Sequence, residues 1–133
     1  MTNIYHLSEN PNLSVLRARV PEIALYCYED KTKPRVCFAK TISGCLSALQ
    51  DISREFYVYV PFDEVSYYVP TSDEVRDGSL TGEVWVLNDV KVKCIGVIKS
   101  FDWYKFREFQ IIRKDGVHEV TKFYYKWKWV KKY

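Results

Sequence analysis

The sequence predicts an α+β domain that is rich in strands and carries one clear short helix. Short runs in which β-branched and aromatic residues alternate with other residues are spread over the chain between turn residues. Hydrophobic residues with clear helical spacing occur in one segment, residues 42–49. Asp115-Gly116 lies between two strand-like runs and is the strongest hairpin signal in the chain. We therefore expect a sheet with one helix packed on it and a C-terminal hairpin.

Residues 35–49 are predicted to form a short buried strand, a turn and then this helix. Val36 and Phe38 favour a strand. Thr41 or Ser43 can cap the helix that follows. The hydrophobic residues of the helix recur at i, i+3, i+4 and i+7, which places them on one face: Ile42, Cys45, Leu46 and Leu49.

The remaining elements are mostly strands and turns. In chain order, strands are predicted at residues 3–7, 55–60, 65–69, 83–87, 91–99, 108–113, 118–123 and 123–130. Residues 13–16 favour either a short strand or a helical turn, and residues 29–34 and 77–79 are predicted loops. Thr71 and Glu74 have capping-box spacing, which predicts the start of a helix. On the first strand, Ile4 and His6 should face one side, and Tyr5 and Leu7 the other.

Length and composition indicate a single folded domain over residues 1–133. The chain is 47% hydrophobic and 17% aromatic, which is typical of a compact protein rather than a disordered one. It contains no apolar run of membrane-spanning length, and its first residues lack the pattern of a signal peptide. A net charge of +3 is too mild to indicate nucleic-acid binding by itself.

The cysteines predict a reduced, cytoplasmic protein without a zinc site. Four cysteines form no CxxC pair, and the chain has only two histidines. They are Cys27, Cys37, Cys45 and Cys94. Most have apolar neighbours, among which a free cysteine behaves as a small hydrophobic residue. Cys37 is for the same reason expected to be an inert core thiol rather than a nucleophile.

Three segments together resemble the ADP-ribosyltransferase fold of diphtheria-toxin-type enzymes, poly(ADP-ribose) polymerases and rifampin ADP-ribosyltransferases. Tyr5-His6-Leu7-Ser8 is similar to the family's opening motif Y-H-G-[ST]. Residues 35–49 resemble its segment G-[IV]-Y-F-A, polar turn and helix rich in small residues. Residues 83–98 (EVWVLNDVKVKCIGVI) resemble its glutamate-led strand, turn and following strand. The resemblance spans residues 4–98, and residues 99–133 have no counterpart in it.

The resemblance implies split antiparallel sheets and an NAD-dependent mono-ADP-ribosyltransferase. It implies that His6 and Glu83 are catalytic and converge on one groove. Glu83 would stabilise the positive charge that develops on the ribose as nicotinamide leaves, and His6 would hold the ribose hydroxyls. The cofactor-binding residues would be Tyr5, Ser8, Arg35, Cys37 and Phe38. Among them Arg35 could hold the pyrophosphate as a bidentate partner, as could Arg17 or Arg19.

The sequence departs from the family pattern at positions that would line the nicotinamide pocket. Leu7 replaces a glycine, and Cys37 replaces the first stacking tyrosine. Cys45 replaces a small or hydroxyl residue of the helix, and the second stacking tyrosine falls close to Ala48. We therefore expect an altered pocket. His6 can alternatively be a structural histidine, Glu83 a solvated carboxylate at a strand end, and each arginine a surface residue.

The C-terminal strand alternates aromatic and basic residues. Lys126, Trp127 and Lys128 could bind single-stranded nucleic acid by stacking and charge. Period two instead places one set of aromatic residues on a single face, which favours an ordinary half-buried strand: Phe123, Tyr125, Trp127 and Trp129. Exposed tryptophans would alternatively mark a surface for a partner protein.

Three hypotheses about function follow. The first is an ADP-ribosyltransferase that uses NAD and modifies a protein, a nucleic acid or a small molecule. The second is a non-catalytic protein of the same fold that binds a nucleotide or a target protein, as a phage or mobile-element accessory factor would. The third is a basic-aromatic module that binds nucleic acid.

Overall fold

The computed structural model of the chain describes residues 3–25, 28–49 and 54–133. Seven strands are present in these ranges: β1 (His6–Ser8), β2 (Val15–Leu16), β3 (Val36–Ala39), β4 (Glu55–Pro61), β5 (Glu83–Val86), β6 (Val90–Arg113) and β7 (Gly116–Lys132). The helices of the same ranges are α1 (Ile42–Leu49), α2 (Gly78–Thr81) and a 3-10 turn at Glu22–Leu25. Cys27 lies outside the described residues. The described part of the chain is therefore strand-rich and antiparallel, as the predicted fold class requires.

The strands form a large and a small antiparallel sheet. In the large sheet the order is β1-β4-β6-β2, and β7 pairs with the distal part of β6. The small sheet consists of β3 and β5, with Ala39 opposite Glu83 and Val36 opposite Val86. β3 also approaches β1, where the amide of Tyr5 donates to the carbonyl of Ala39 over 2.8 Å and the reverse bond measures 2.9 Å. The register therefore places Tyr5, Ala39 and Glu83 side by side across three neighbouring segments.

The described residues form two hydrophobic core clusters, one on each side of β1. Leu7 belongs to the cluster under α1, together with Ile42, Cys45, Leu46, Phe56, Val58, Ile98 and Tyr125. Ile4 belongs to the cluster between the two sheets, with Val36, Phe38, Tyr59, Val84, Val86, Val90 and Val92. The predicted alternation of the first strand is thus observed, because its successive side chains enter different clusters.

Helix α1 begins as predicted. The hydroxyl of Thr41 accepts a hydrogen bond of 2.9 Å from the amide of Gly44, which satisfies a donor at the helix start. Ile42, Cys45 and Leu46 are buried, but the side chain of Leu49 is 47% exposed. Within the described residues, none of the helices has the length and apolar character that crossing a membrane requires.

The predicted C-terminal hairpin is present, but its strands are longer than the sequence indicates. Gly116 follows the turn with φ of 125°. β6 continues without a break from Val90 to Arg113, where two shorter strands were expected. Two β-bulges, on either side of Trp103, accommodate extra residues of β6, so the pairing with β7 continues past them.

Two predicted elements are wrong. Residues 65–69 form no strand, and of these only Tyr68 pairs, with Trp85. Thr71 and Glu74 do make the capping-box contact, a bond of 2.9 Å from the Thr71 amide to Oε1 of Glu74. That contact closes a turn and no helix follows it directly. The helix is instead α2, in the segment expected to be a loop, and it ends at Gly82 with φ of 73°.

Candidate functional site

His6 and Glu83 line the same cavity, which we call the first cavity. Its volume is about 130 Å³. It lies where β1, β3, α1 and the first residue of β5 meet, because β3 joins β1 on one side and β5 on the other. Its lining is Tyr5, His6, Leu7, Cys37, Phe38, Ala39, Cys45, Ala48, Leu49, Thr81 and Glu83. The expected convergence of His6 and Glu83 on one groove is therefore observed.

The ring of His6 is held between β1 and β3. Its Nδ1 lies 2.9 Å from the carbonyl oxygen of Cys37. A carbonyl only accepts hydrogen bonds, so we assign the proton to Nδ1, which leaves Nε2 of the neutral ring as an acceptor. Burial lowers the pKa of His6, and the hydrogen bond to Cys37 opposes that shift only in part. A neutral His6 can therefore accept a hydrogen bond from a ligand hydroxyl through Nε2.

The surroundings of Glu83 favour the neutral, protonated form of its carboxyl group. Burial raises the pKa of Glu83 to about 7, and the charges of Glu29 and Asp77 act in the same direction. Nε1 of Trp85 donates a 2.6 Å hydrogen bond to Oε2 of Glu83, which together with Arg35 limits the shift. A carboxyl group with this pKa is about half ionised at neutral pH. It can therefore serve as an acid, a base or a stabilising negative charge, which is typical of functional sites.

Arg35 supports this site from inside the protein. Its side chain is fully enclosed, and its guanidinium forms a 3.0 Å ion pair with Glu29. It also donates to the carbonyls of Asp30 and Lys33, over 2.8 and 3.1 Å. The guanidinium lies 3.9 Å from the centre of the Trp85 ring. These contacts hold the guanidinium against Trp85, and the predicted pyrophosphate role of Arg35 stays a prediction.

A second cavity, of about 410 Å³, adjoins the first. His6 and Cys37 line both cavities. Arg17, Arg19 and Arg35 line the second cavity. Arg17 is already paired with Asp89 over 2.9 Å. Arg19 is exposed, and its side chain makes no hydrogen bond or ion pair with a described residue, so it is available to an anionic ligand.

The other predicted cofactor-binding residues are not all brought to the site. Tyr5 lines the first cavity and packs against the cluster under α1. Phe38 also lines the first cavity, but its ring is largely buried in the cluster between the sheets, edge-on to His6 at 5.9 Å. Ser8 lies outside the residues that line the two cavities, and its hydroxyl accepts from the amide of Asn10.

The cysteines of the first cavity are protonated thiols. Burial raises the pKa of Cys37 to about 12, and the charge of Glu83 adds to the shift. Burial likewise raises the pKa of Cys45 to about 12. Cys37, Cys45 and Cys94 are free cysteines. A thiol that stays protonated is a poor nucleophile, which agrees with the expected inert character of Cys37.

The four positions at which we expected an altered pocket all line the first cavity: Leu7, Cys37, Cys45 and Ala48. Together they make much of its wall apolar. The sequence interpretation missed Trp85 and Thr81. Trp85 could have been found, because period two puts it on the same face as Glu83.

The C-terminal strand packs its aromatic face against the core. Tyr125 is buried, and Phe123, Trp127 and Trp129 are partly buried against the cluster under α1. Nε1 of Trp127 donates to the hydroxyl of Ser43 over 3.1 Å. Lys126 and Lys128 are exposed. The half-buried strand is thus the better interpretation, because Trp127 faces the core whereas Lys126 and Lys128 are on the opposite face of β7.

The described residues contain no cluster of three or more His, Cys, Asp and Glu side chains that could hold a metal ion. Comparison of the chain with known proteins gave no matching family model, no significantly similar curated protein and no significantly similar solved structure.

Proposed function

We propose that the chain binds NAD across the two adjoining cavities and transfers its ADP-ribose to an acceptor. The observation that carries this proposal is the meeting of His6 and Glu83 in one small cavity that shares its wall with an arginine-lined cavity. The first cavity, of about 130 Å³, is slightly smaller than the apolar cavity of about 150 Å³ that accommodates benzene, but it is open to solvent on one side. The nicotinamide would occupy it, and the diphosphate would extend past His6 towards Arg19.

The chemistry assigns a task to each polar group. The bond between nicotinamide and C1′ of the ribose breaks, and its electron pair leaves with nicotinamide as the neutral molecule. Positive charge then develops on the ribose, and ionised Glu83 stabilises it while accepting a hydrogen bond from a ribose hydroxyl. Nε2 of His6 accepts from a neighbouring hydroxyl. The acceptor attacks C1′, and its proton is released to solvent.

Release of nicotinamide from NAD tests the activity. The wild-type protein is incubated with NAD and an excess of candidate acceptors or water, and nicotinamide is measured by chromatography. Glu83→Gln keeps the shape and the hydrogen bond to Trp85 but loses the charge, so release should fall by roughly 100-fold or more. Glu64→Gln, at an exposed loop position outside both cavities, should leave the rate within about threefold of wild type.

Binding of NAD, measured by calorimetry, separates this proposal from its alternative. Arg19→Gln should weaken NAD binding by about tenfold, since it removes a cation beside the diphosphate. Binding that depends on Arg19 without any release of nicotinamide would favour a non-catalytic nucleotide-binding protein. No binding of NAD, or unchanged release by Glu83→Gln, would overturn the proposal.

A further inference from the structure

The long hairpin of β6 and β7 has a second face, opposite to the one that packs on the core, and most of the side chains on it are exposed. Residues paired across an antiparallel ladder point to the same face of the sheet. Four consecutive pairs share the face opposite to the core aromatic residues: Lys99 with Lys128, Phe101 with Lys126, Lys105 with Tyr124, and Arg107 with Lys122. We call these eight residues the basic face.

The basic face is strongly cationic. Six of its eight members are lysine or arginine, and none is acidic. On β4, Glu55 lies opposite Lys99. Residues 99–133 carry ten Lys and Arg against four Asp and Glu, whereas residues 1–98 carry ten against thirteen. The net charge of the whole chain is mild because the basic residues 99–133 are offset by the slightly acidic residues 1–98. This uneven distribution suits a polyanionic partner at the hairpin.

Aromatic rings stand among these cations. Phe101 is 38% exposed, and Tyr104, which lies in the bulge next to Lys105, is 50% exposed. The rings of Tyr104 and Tyr124 are 6.4 Å apart. Nζ of Lys105 lies 4.6 Å from the centre of the Tyr124 ring and 5.5 Å from that of Tyr104. Exposed rings flanked by ammonium groups are the combination that stacks unpaired bases and pairs with the phosphates between them.

The same two tyrosines border a third cavity, of about 280 Å³, between the hairpin and the helices. Lys40 and Lys122 line it, together with hydroxyl side chains of α1 such as Ser43 and Ser47. Nζ of Lys122 is held there by the carbonyl of Leu80. A base or phosphate that extends from the tyrosine rings into this cavity would therefore find further hydrogen-bond donors, namely the lysine ammonium and serine hydroxyl groups.

We propose that the basic face, with Tyr104, binds single-stranded nucleic acid. Phosphates lie along the lysine rows, and unpaired bases stack on Tyr104, Tyr124 and Phe101. The rings favour a single strand over a duplex, because a duplex keeps its bases stacked on each other. This binding goes beyond the proposed transferase and does not depend on it, since no residue of the basic face lines the first or second cavity.

Fluorescence anisotropy with a labelled 12-nucleotide oligothymidylate tests this site on the full chain. Binding should weaken with salt, with a slope of about −0.7 in log K against log salt for each phosphate neutralised. Tyr104→Ala should weaken binding by roughly 5- to 150-fold and leave that slope unchanged. Lys105→Gln with Lys126→Gln should instead reduce the slope by about 1.4.

The matched control is Lys91→Gln with Lys93→Gln, which removes the same charge from exposed positions of β6 outside the basic face. It should keep the wild-type affinity within about twofold. Circular dichroism checks that each variant is folded. The proposal is overturned if the oligonucleotide does not bind at 50 mM salt, or if the control weakens binding as much as the basic-face variants. Equal binding of a duplex, or displacement of the oligonucleotide by polyglutamate at equal charge concentration, would overturn it as well.

Discussion

Burial disfavours the ionised form of the Glu83 side chain. The Trp85 indole supplies one strong hydrogen bond, but Glu29 and Asp77 add negative charge around a carboxyl group that is already shielded from water. A protein that needed only a structural residue here would be more stable with a neutral one. The surroundings of Glu83 therefore agree with the proposed role of its carboxyl group.

The first prediction concerns the pH dependence of the proposed reaction. The ionised form of Glu83 is the one that stabilises positive charge, and its pKa is raised to about 7. Nicotinamide release should therefore rise about tenfold for each pH unit below 7 and level off above about pH 8. The rate is measured between pH 5 and 9 at saturating NAD. A flat profile across pH 7 would contradict the role of Glu83.

The second prediction concerns stability. Between pH 4.5 and about 7 the folded protein keeps a proton on Glu83 that the unfolded chain releases, so the free energy of unfolding falls as pH rises through this window. Glu83→Gln has no titratable group at this position, so the variant should not lose stability as the pH rises through this window. At pH 8 the variant should be more stable than wild type by about 1–3 kcal/mol, and the difference should vanish near pH 4.5.

Urea denaturation at the two pH values measures this difference. Glu64→Gln is the matched control, because its carboxylate is exposed, and it should change stability by less than about 0.5 kcal/mol. A Glu83→Gln variant that is less stable at pH 8 would show that the carboxylate contributes to folding.

At the scale of elements, local signals predict what forms but not how far it extends. Thr41 caps α1, and Gly116 closes the hairpin, because each acts on atoms only a few residues away. Residues 65–69 also alternate, yet Tyr67 and Val69 remain exposed and only Tyr68 finds a strand to pair with. The alternation was real, but a strand also requires a partner along its whole length.

The third prediction concerns the approach of α1 to α2. A Cβ atom on Gly44 would lie 1.9 Å from the carbonyl oxygen of Thr81, so the two helices could not keep their present distance. In an exposed helix, glycine to alanine stabilises by about 1 kcal/mol. Here Gly44→Ala should destabilise by about 1–3 kcal/mol, and because Thr81 lines the first cavity it should also weaken NAD binding.

Urea denaturation and calorimetry with NAD measure the two effects. Ala48→Gly in the same helix provides the comparison, with an expected loss of about 1 kcal/mol from helix propensity alone. A Gly44→Ala variant as stable as wild type would mean that α2 moves away without cost.

At the scale of the whole molecule, Arg35 connects segments that are distant in sequence. Its guanidinium joins the loop at Glu29 and Asp30 to the ring of Trp85 in β5, and the backbone of Arg35 pairs with Arg19. The same cation therefore supports both the carboxyl group of Glu83 and the wall of the second cavity.

The fourth prediction follows from that position. Arg35→Met leaves the carboxylate of Glu29 without its partner, and it should lower the free energy of unfolding by roughly 3–5 kcal/mol. Arg35→Lys should recover little of this, because an ammonium group replaces neither the planar stack on Trp85 nor the several directed hydrogen bonds. The double variant Arg35→Met with Glu29→Gln should be more stable than Arg35→Met alone.

Thermal and urea unfolding measure these losses. Arg17→Met is the matched control, because its ion pair with Asp89 is exposed, and it should cost less than about 1 kcal/mol. Equal losses for the two arginine variants would refute the central role of Arg35.

The strand-rich α+β class, the helix at Ile42–Leu49 and the hairpin at Gly116 were within reach of the sequence alone, because caps, turns and periodicity act over a few residues. The convergence of His6 and Glu83 was expected from resemblance, and the antiparallel register through Ala39 provides it. Period two also separated the aromatic residues of β7 from its lysines.

Only the tertiary structure decided which of two possible surroundings each side chain has. It turned Arg35 inward, covered Trp127, left Tyr104 exposed and set the pKa of Glu83. Periodicity distinguishes the two faces of a strand, but it does not state which face another segment will cover. Burial and electrostatic surroundings depend on groups far away in sequence, and folding alone brings those groups together.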